Sequence, residues 1–398
     1  QFASVLVAGT KGKGSIAAML ESIARAAGHA TGLYTQPHLH SWCERTRLGD
    51  RFIRSDEVVA LVGPVRAAVE GLARDHPELG PPTTFEVGTA LTFLAFARHH
   101  VRLAVVEVGV GGAHDATNVL EPLLVVLGPI GFDHMATLGG SLEAIAAEKA
   151  GIIRQGGLAI VGRQPPEAWA VVARVAEERG ARLDVLGQDW RWRPEDDHPA
   201  SGRFAVEREN PRLRLDRLAT PLLGRHQRDN ATLAVAAAVA LEAHGFAIPP
   251  RAIRDGLGQV EWPGRLQVLR ERPRLVVDGA HNRDSAVRLV QALLECFDWR
   301  RLHLVLGMSE GKDVEGVLDA LLPACDRLTV TRSRHERAFP PRALATVARA
   351  RGAAPRLEPD VARALRRALA EADPRDLVCV TGSLFVVGEA IEAARMDA

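Results

Sequence analysis

Short apolar runs alternate with longer stretches of helical periodicity along nearly the whole chain, and this alternation restricts the fold more than any other feature. Strands are expected at residues 4–8, 103–107, 123–127, 158–161, 275–278, 302–306, 328–331 and 377–380. Between them, apolar residues recur at i, i+3 and i+4, as in residues 16–27, 231–243 and 286–296. Strands alternating with helices form βαβ units, so the expected class is α/β with mostly parallel sheets covered on both faces. Runs that never alternate, such as Leu103-Ala104-Val105-Val106, fit strands buried on both sides.

A chain of 398 residues at ordinary domain size makes two domains. The pattern breaks around residues 248–264, where Pro249-Pro250 and Trp262-Pro263-Gly264 bracket a short helical piece. The boundary is therefore expected there, with domains at 1–259 and 260–398. Residues 188–217, polar and rich in Trp and Arg, read as a small antiparallel insertion in the first domain. Fifty basic against forty-nine acidic side chains argue against a protein built to neutralise nucleic acid or an anionic membrane. No apolar run is long enough to span a bilayer. Cys43, Cys296, Cys325 and Cys379 lie far apart without metal-like spacing and read as small buried hydrophobes in a reducing, cytoplasmic setting. The chain opens on Gln1 with no initiator methionine, so native residues are expected to precede it.

Only four of the fifty basic residues are lysines: Lys11, Lys13, Lys149 and Lys312. Elsewhere the chain writes arginine. A lysine kept against that bias is a candidate for work that needs a compact, titratable amine.

Two of the four lie in Gly9-Thr10-Lys11-Gly12-Lys13-Gly14-Ser15, after an expected strand and before an expected helix. Glycines there let backbone N–H groups approach phosphate oxygens, and the helix N-terminus adds positive potential. In such a loop Lys13 reaches terminal phosphates and Ser15 offers its hydroxyl to Mg²⁺. A glycine turn with an exposed lysine is the plainer alternative. A dinucleotide fingerprint fits less well, because the glycine order differs and a lysine has no place in it. Glu107 ends a buried strand beside Gly109, Gly111 and Gly112, which suits a metal ligand or base; a solvated strand end is the alternative. His134, in Gly131-Phe132-Asp133-His134, gains interest because strand order brings it to the same sheet edge. Lys149 closes a helical stretch, where an arginine would serve the helix dipole equally well. In the second domain Asp278-Gly279-Ala280-His281-Asn282, Lys312-Asp313 and Thr381-Gly382-Ser383 each follow a strand, so both sheets carry polar groups at one edge.

Taken together, these segments resemble the folylpolyglutamate synthase and dihydrofolate synthase family of the Mur ligase superfamily. Further segments carry the likeness: Thr35-Gln36-Pro37-His38-Leu39 with Glu44-Arg45, Thr84-Phe85-Glu86, Asp115-Ala116-Thr117-Asn118, Glu148-Lys149-Ala150-Gly151, His226-Gln227 with Asn230, and Trp262-Pro263-Gly264-Arg265. The resemblance implies a P-loop ATPase domain with a small β insertion and a smaller Rossmann-like α/β domain. It also implies an ATP-dependent ligase, cytoplasmic and monomeric, that joins L-glutamate to a reduced folate or dihydropteroate through an acyl phosphate. By the same likeness Gly9, Thr10, Lys11, Gly12, Lys13, Gly14, Ser15, Asn230, Arg265 and Asp278 fall at nucleotide-side positions. Ser15, Glu107, His134 and Lys149 fall in the shells of two Mg²⁺ ions, with Lys149 carbamylated by CO₂. Lys13, Lys149, Asp278 and His281 are implied as catalytic, and Pro37, His38, Phe85, Asp115 and Ser383 as substrate contacts.

Three features depart from the family pattern. Lys11 and Ala113 stand where bacterial members often carry Asn and Arg. Gln36 replaces a serine associated with the metal shell. The family also has a leading segment of some tens of residues before the P-loop strand. A Mur-type ligase acting on a cell-wall precursor and a non-catalytic nucleotide-binding regulator are the competing readings.

Overall fold

The expected alternation condenses around a sheet whose strands are β1 (Ala3–Ala8), β2 (Thr31–Tyr34), β3 (Thr46–Leu48), β4 (Arg51–Phe52), β5 (Leu103–Glu107), β6 (Leu124–Leu127), β7 (Leu158–Val161) and β8 (Arg182–Val185). The computed structural model describes residues 2–133, 135–196 and 203–396. The spatial order is β4-β3-β2-β5-β1-β6-β7-β8. From β2 to β8 every pairing is parallel, and only the short β3 and β4 run antiparallel at one edge. β1 lies in the middle, and Val5, Leu6, Val7 and Ala8 are wholly buried, as a strand covered on both faces must be. The chain leaves β1 toward β2 on one side and leaves β6 toward β7 on the other. Loops that part in this way open a crevice at the carboxyl ends of the strands.

The insertion is a three-stranded antiparallel sheet of β9 (Trp190–Pro194), β10 (Phe204–Arg208) and β11 (Leu213–Leu218), in the order β11-β10-β9. A second parallel sheet follows: β12 (Gln267–Glu271), β13 (Arg274–Val277), β14 (Leu302–Leu306), β15 (Arg327–Val330), β16 (Arg356–Leu357) and β17 (Leu377–Thr381). Its order is β12-β13-β17-β14-β15-β16, with only β12 antiparallel. The chain thus forms two compact units. The first holds Gln1–Asp197, Arg203–Pro221 and His226–Glu261; the second holds Trp262–Ala398 and the short segment Leu222–Arg225.

Among the described residues no helix is long and apolar enough to cross a membrane. Cys296 and Cys379 are buried as expected, but Cys43 and Cys325 are only partly covered, which corrects the reading of all four as core residues. Cys43 lies in a short turn of 3₁₀ helix, Trp42–Arg45, too small to bury its own side chains.

The helix Lys13–Ala26 follows β1 and is buried continuously from Ser15 to Ala24. Its outer side is covered by the helix Pro250–Gly258 at near backbone contact. A Cβ added at Gly256 would sit 2.4 Å from the Cα of Ile23 and 2.7 Å from the Ser22 carbonyl oxygen. The Ser22 hydroxyl donates to the Gly256 carbonyl at 2.7 Å. Backbone cannot yield to a methyl group as a flexible side chain can. Gly256→Ala is expected to lower stability by about 1–3 kcal/mol through overpacking. Urea unfolding should show this as a lower midpoint at unchanged slope; an unchanged midpoint would contradict the close packing.

Candidate active site

The loop after β1 lies against the loop after β6. Gly9 has φ 143°, and a Cβ there would come within 3.0 Å of the Gly128 backbone. Only glycine meets both demands. The backbone N–H groups of Thr10 and Lys11 donate to the Pro129 carbonyl at 2.9 and 3.3 Å. The Thr10 hydroxyl donates to the Gly131 carbonyl and accepts from the Gly131 N–H, each at 3.0 Å. Lys11 pairs with Asp133 at 3.5 Å. Gln164, just beyond β7, fixes the β6 loop from its other side by donating to Gly128 and accepting from Ile130.

Gly12 is the N-cap of the helix Lys13–Ala26, with φ 79°. A Cβ there would lie 2.5 Å from Oδ1 of Asn230. No side chain caps this helix and its first turn holds no acidic residue. An uncapped N-terminus with glycine on its threshold retains the potential of its free N–H groups, which is what an anion requires. Lys13 folds back to donate to the Gly9 carbonyl at 3.0 Å, so its ammonium stays over the loop, contrary to a merely exposed lysine. Ser15 is 4% exposed. Asn230 is buried and oriented by the Gln227 carbonyl oxygen, which accepts from its Nδ2 at 3.0 Å.

Glu107 ends β5 and is 5% exposed, so it is no solvated strand end. Its Oε2 accepts the backbone N–H of Gln36 at 3.1 Å. Gln36, Phe85 and Asp115 converge on Gly109, where a Cβ would meet Phe85 Cζ at 2.7 Å, Gln36 Nε2 at 2.8 Å and Asp115 Oδ2 at 2.9 Å. Gln36 Nε2 is buried without a hydrogen-bond partner. The ring of Phe85 stacks on that of Tyr34, centroids 6.4 Å apart. Burial pushes the Tyr34 phenol up, with Asp115 and Glu107 adding to the effect. The Asp115 carboxylate accepts from the Val110 N–H and from both the N–H and hydroxyl of Thr117, so it holds its own loop in shape. His38 Nδ1 accepts from Arg45 Nε at 3.0 Å, which places any single ring proton on Nε2. Pro37 beside it is exposed.

Lys149, in the last turn of the helix Leu142–Ala150, is 4% exposed. A lysine that only complemented the helix dipole would reach solvent. Its amine is held down at about 7, chiefly by burial, then by the positive charge of Lys13, with Lys11 adding to it; Asp133 and Asp115 pull the other way. An amine near neutrality at physiological pH can lose its proton and act as a nucleophile. Among the described residues no three His, Cys, Asp or Glu side chains gather as a metal cluster. His134 lies outside the described residues. Ser15 and Glu107 bring a hydroxyl and a carboxylate, hard oxygen donors of the kind Mg²⁺ takes.

The second unit has its own polar edge where β13 and β17 end. Asp278 accepts the backbone N–H groups of Leu266 at 2.8 Å and Ala280 at 2.9 Å. Burial pushes its carboxyl up against the opposing pull of Arg265 and these two donors. His281 Nδ1 lies 2.9 Å from the Gly279 carbonyl, which can only accept, so Nδ1 carries a proton. Ser383 is 3% exposed, 3.1 Å from the Ser309 hydroxyl, and accepts from the Phe385 N–H. The structure therefore gathers Gly9–Ser15, Lys149 and Asn230 in one unit, and Arg265, Asp278, His281 and Ser383 in the other. Asp133, Gln164 and Gln227 were missed as partners of these residues. Strand-end position was a usable signal for Gln164 and helical i, i+3 spacing for Gln227, but the pairings of Asp133 and Gln164 join segments far apart in sequence.

A model of the Mur ligase middle domain matches residues 7–238, and one of the Mur ligase glutamate ligase domain matches residues 264–384. The dihydrofolate synthase/folylpolyglutamate synthase of Bacillus subtilis is 38% identical over 317 residues, covering 79% of this chain and 73% of that protein. The enzyme of the same name from Mycobacterium tuberculosis is 35% identical, covering 98% and 85%. The chain belongs to the folylpolyglutamate synthase/dihydrofolate synthase family. Solved structures of the family agree in fold. Mycobacterium tuberculosis folylpolyglutamate synthase complexed with ADP and AMPPCP superposes with a TM-score of 0.90 at 33% identity, covering 99% of this chain and 91% of the other. Escherichia coli FolC in complex with DHPP and ADP gives 0.87 at 32% identity, covering 99% and 89%. As a member of this family the chain is an ATP-dependent, amide-forming ligase. The relatives favour neither a cell-wall ligase nor a nucleotide-binding regulator.

Lys149 gives a pH test. Its amine is lowered from an ordinary 10.5 to about 7 in the folded protein. Below about pH 7 both folded and unfolded chains carry the charge, and the folded state bears the full cost of burying it. From there upward the folded chain sheds the proton first, and that cost falls away. Lys149→Met should therefore stabilise the protein most near pH 6.5 and progressively less toward about pH 9, measured by urea midpoints in bicarbonate-free buffer. A gap independent of pH would remove the lowered amine.

Proposed function

We propose that the chain joins L-glutamate to the free carboxylate of a reduced folate or dihydropteroate, with ATP as phosphoryl donor. The observation that carries this reading is the juxtaposition in one unit of an uncapped, lysine-bearing glycine loop and a buried lysine whose amine lies near neutrality. The remaining residues of the family likeness, Arg265, Asp278, His281 and Ser383, lie in the second unit.

A folate carboxylate oxygen attacks the γ-phosphorus and ADP leaves, giving an acyl phosphate. The glutamate amine then attacks the acyl carbon, loses a proton, and the tetrahedral intermediate expels phosphate as the amide forms. Both steps gather negative charge on phosphoryl and acyl oxygens. Backbone N–H groups of the glycine loop and the Lys13 ammonium meet that charge without reorganising. Ser15, Glu107 and His134 are the residues that would hold Mg²⁺, which when bound neutralises charge on the phosphates. Lys149 as a carbamate would add an oxygen ligand, and its deprotonatable amine is the property that reaction needs. Asn230 and Arg265 serve the nucleotide, and Lys11, tied to Asp133, keeps the loop in place. Asp278 holds the segment that carries His281, whose Nε2 is the nitrogen able to take the amine proton when the ring is neutral. Pro37, His38, Phe85 and Asp115 shape the folate side, and Ser383 the glutamate side. We place the enzyme in the cytoplasm as a monomer.

Incubation with ATP, glutamate and dihydropteroate should yield a product heavier by one glutamyl unit, read by mass spectrometry. Further glutamyl additions to a folate would mark chain extension as well. Lys13→Ala should reduce turnover by at least about a hundredfold; phosphate release retained in the presence of folate and glutamate would count against the glycine loop as the phosphate site. For Lys149, ¹³C-bicarbonate should give a carbamate carbon signal that Lys149→Arg abolishes along with most activity. A Lys149→Arg variant at full rate would dispose of the carbamate.

A further inference from the structure

Three post-strand loops of the second unit close on one another in a ring of contacts that includes a histidine with no part in the family likeness. The loop after β15 turns back at residues 335–339 and pairs with the loop after β14. Ser309 and Ala338 form a β-bridge, the Glu310 N–H donates to the Arg337 carbonyl at 2.8 Å, and the Phe339 N–H donates to the Met308 carbonyl at 2.9 Å. This pairing sets His335 flat against Phe385, centroids 3.9 Å apart and planes 19° from parallel. His335 Nδ1 accepts the Arg337 N–H at 3.1 Å, which fixes the ring's orientation. Phe385 in turn donates its backbone N–H to Ser383 Oγ at 3.3 Å, and that oxygen lies 3.1 Å from Ser309 Oγ. The circuit runs from Ser383 to Ser309, through the paired turn to His335, across the ring stack to Phe385, and back to Ser383.

We propose that His335 is a positioning residue for the glutamate side of the reaction, acting through Phe385 to fix the Ser383 hydroxyl. The inference rests on the reading of Ser383 as a glutamate-side contact. Ser383 sits where β17 gives way to the helix Leu384–Met396, and a serine hydroxyl rotates freely unless its partners are fixed. The stack removes one freedom, because Phe385 cannot tilt without losing ring contact. The turn removes the other, because Ser309 is anchored by its bridge to Ala338. Stacking, rather than proton transfer, is the property that His335 contributes, so another flat ring can replace it.

The test measures steady-state kinetics with glutamate and with ATP varied separately, in His335→Ala, His335→Phe and Ser383→Ala, with melting temperature as a fold control. An aromatic contact of this kind corresponds to about three- to tenfold in an equilibrium. His335→Ala should raise KM for glutamate by that factor, with kcat within about twofold and KM for ATP unchanged, and His335→Phe should restore most of the loss. If Ser383→Ala raises KM for glutamate while His335→Ala does not, the positioning role is overturned and the reading of Ser383 stands. If His335→Phe is as impaired as His335→Ala, stacking is not the contribution and the proposal fails. A Ser383→Ala enzyme with unaltered KM for glutamate would overturn the reading of Ser383 itself.

Discussion

The first unit depends on the contact between two loops, one leaving β1 and the other leaving β6. Gly9 lies so close to Gly128 that a Cβ would not fit between them, and Thr10 exchanges hydrogen bonds with Gly131 in both directions. A glycine-rich loop is conformationally free in isolation, and freedom of that kind is lost entropy when phosphate must be held. Here the freedom is removed before any ligand arrives, by packing against a neighbour that is itself braced by Gln164. The helix that follows is equally constrained, buried between the sheet and the backbone of Gly256. The N–H groups at its start are thereby aimed by the fold and not by the ligand.

That rigidity explains how a lysine can be buried beside two others. Lys149 is close enough to Lys13 and Lys11 for their charges to oppose its own, and burial opposes it further. In a pliable site the three side chains would spread apart and be solvated. Lys13 is tethered to the Gly9 carbonyl and Lys11 to Asp133, so neither relaxes away and the strain falls on the proton of Lys149. Loop packing is in this way converted into chemistry: burial first, and then ammonium groups whose positions are fixed elsewhere, bring the amine of Lys149 down to about 7.

Much of this was legible in the sequence, for definite reasons. Strands such as Leu103–Glu107, Leu158–Val161 and Leu302–Leu306 stand out because burial on both faces forbids polar residues. Not every strand carries so plain an apolar run. Thr31–Tyr34 carries Thr31 and Gly32, Arg182–Val185 carries Arg182 and Asp184, and Arg356–Leu357 is too short for any period, so all three pass unnoticed. The glycine loop, Glu107 and Lys149 were visible through residue type and order. Their partners were not. The family likeness singles out Asp115, but not the three hydrogen bonds by which it also folds its own loop. Likewise His335 reads as an unremarkable loop residue until the turn sets it on Phe385.

The scarcity of lysine can now be given a physical meaning. Arginine could complement a helix terminus or pair with Asp133, but it could not occupy the place of Lys149. A guanidinium keeps its proton at any physiological pH, so burying one beside Lys13 would leave a permanent charge with no means of relief. The ammonium has that means, and the same burial that disfavours its charge yields the neutral amine. At Lys13 the argument is geometric: a single compact point charge can fold over a glycine loop to its own Gly9 carbonyl, whereas a planar fork of five donors would need more acceptors than the loop offers. A composition bias that replaces lysine wherever charge alone is needed will therefore stop where compactness or deprotonation is needed. Lys13 and Lys149 are such places: burial is the main reason the second of them is titratable, and the charge of the first adds to it.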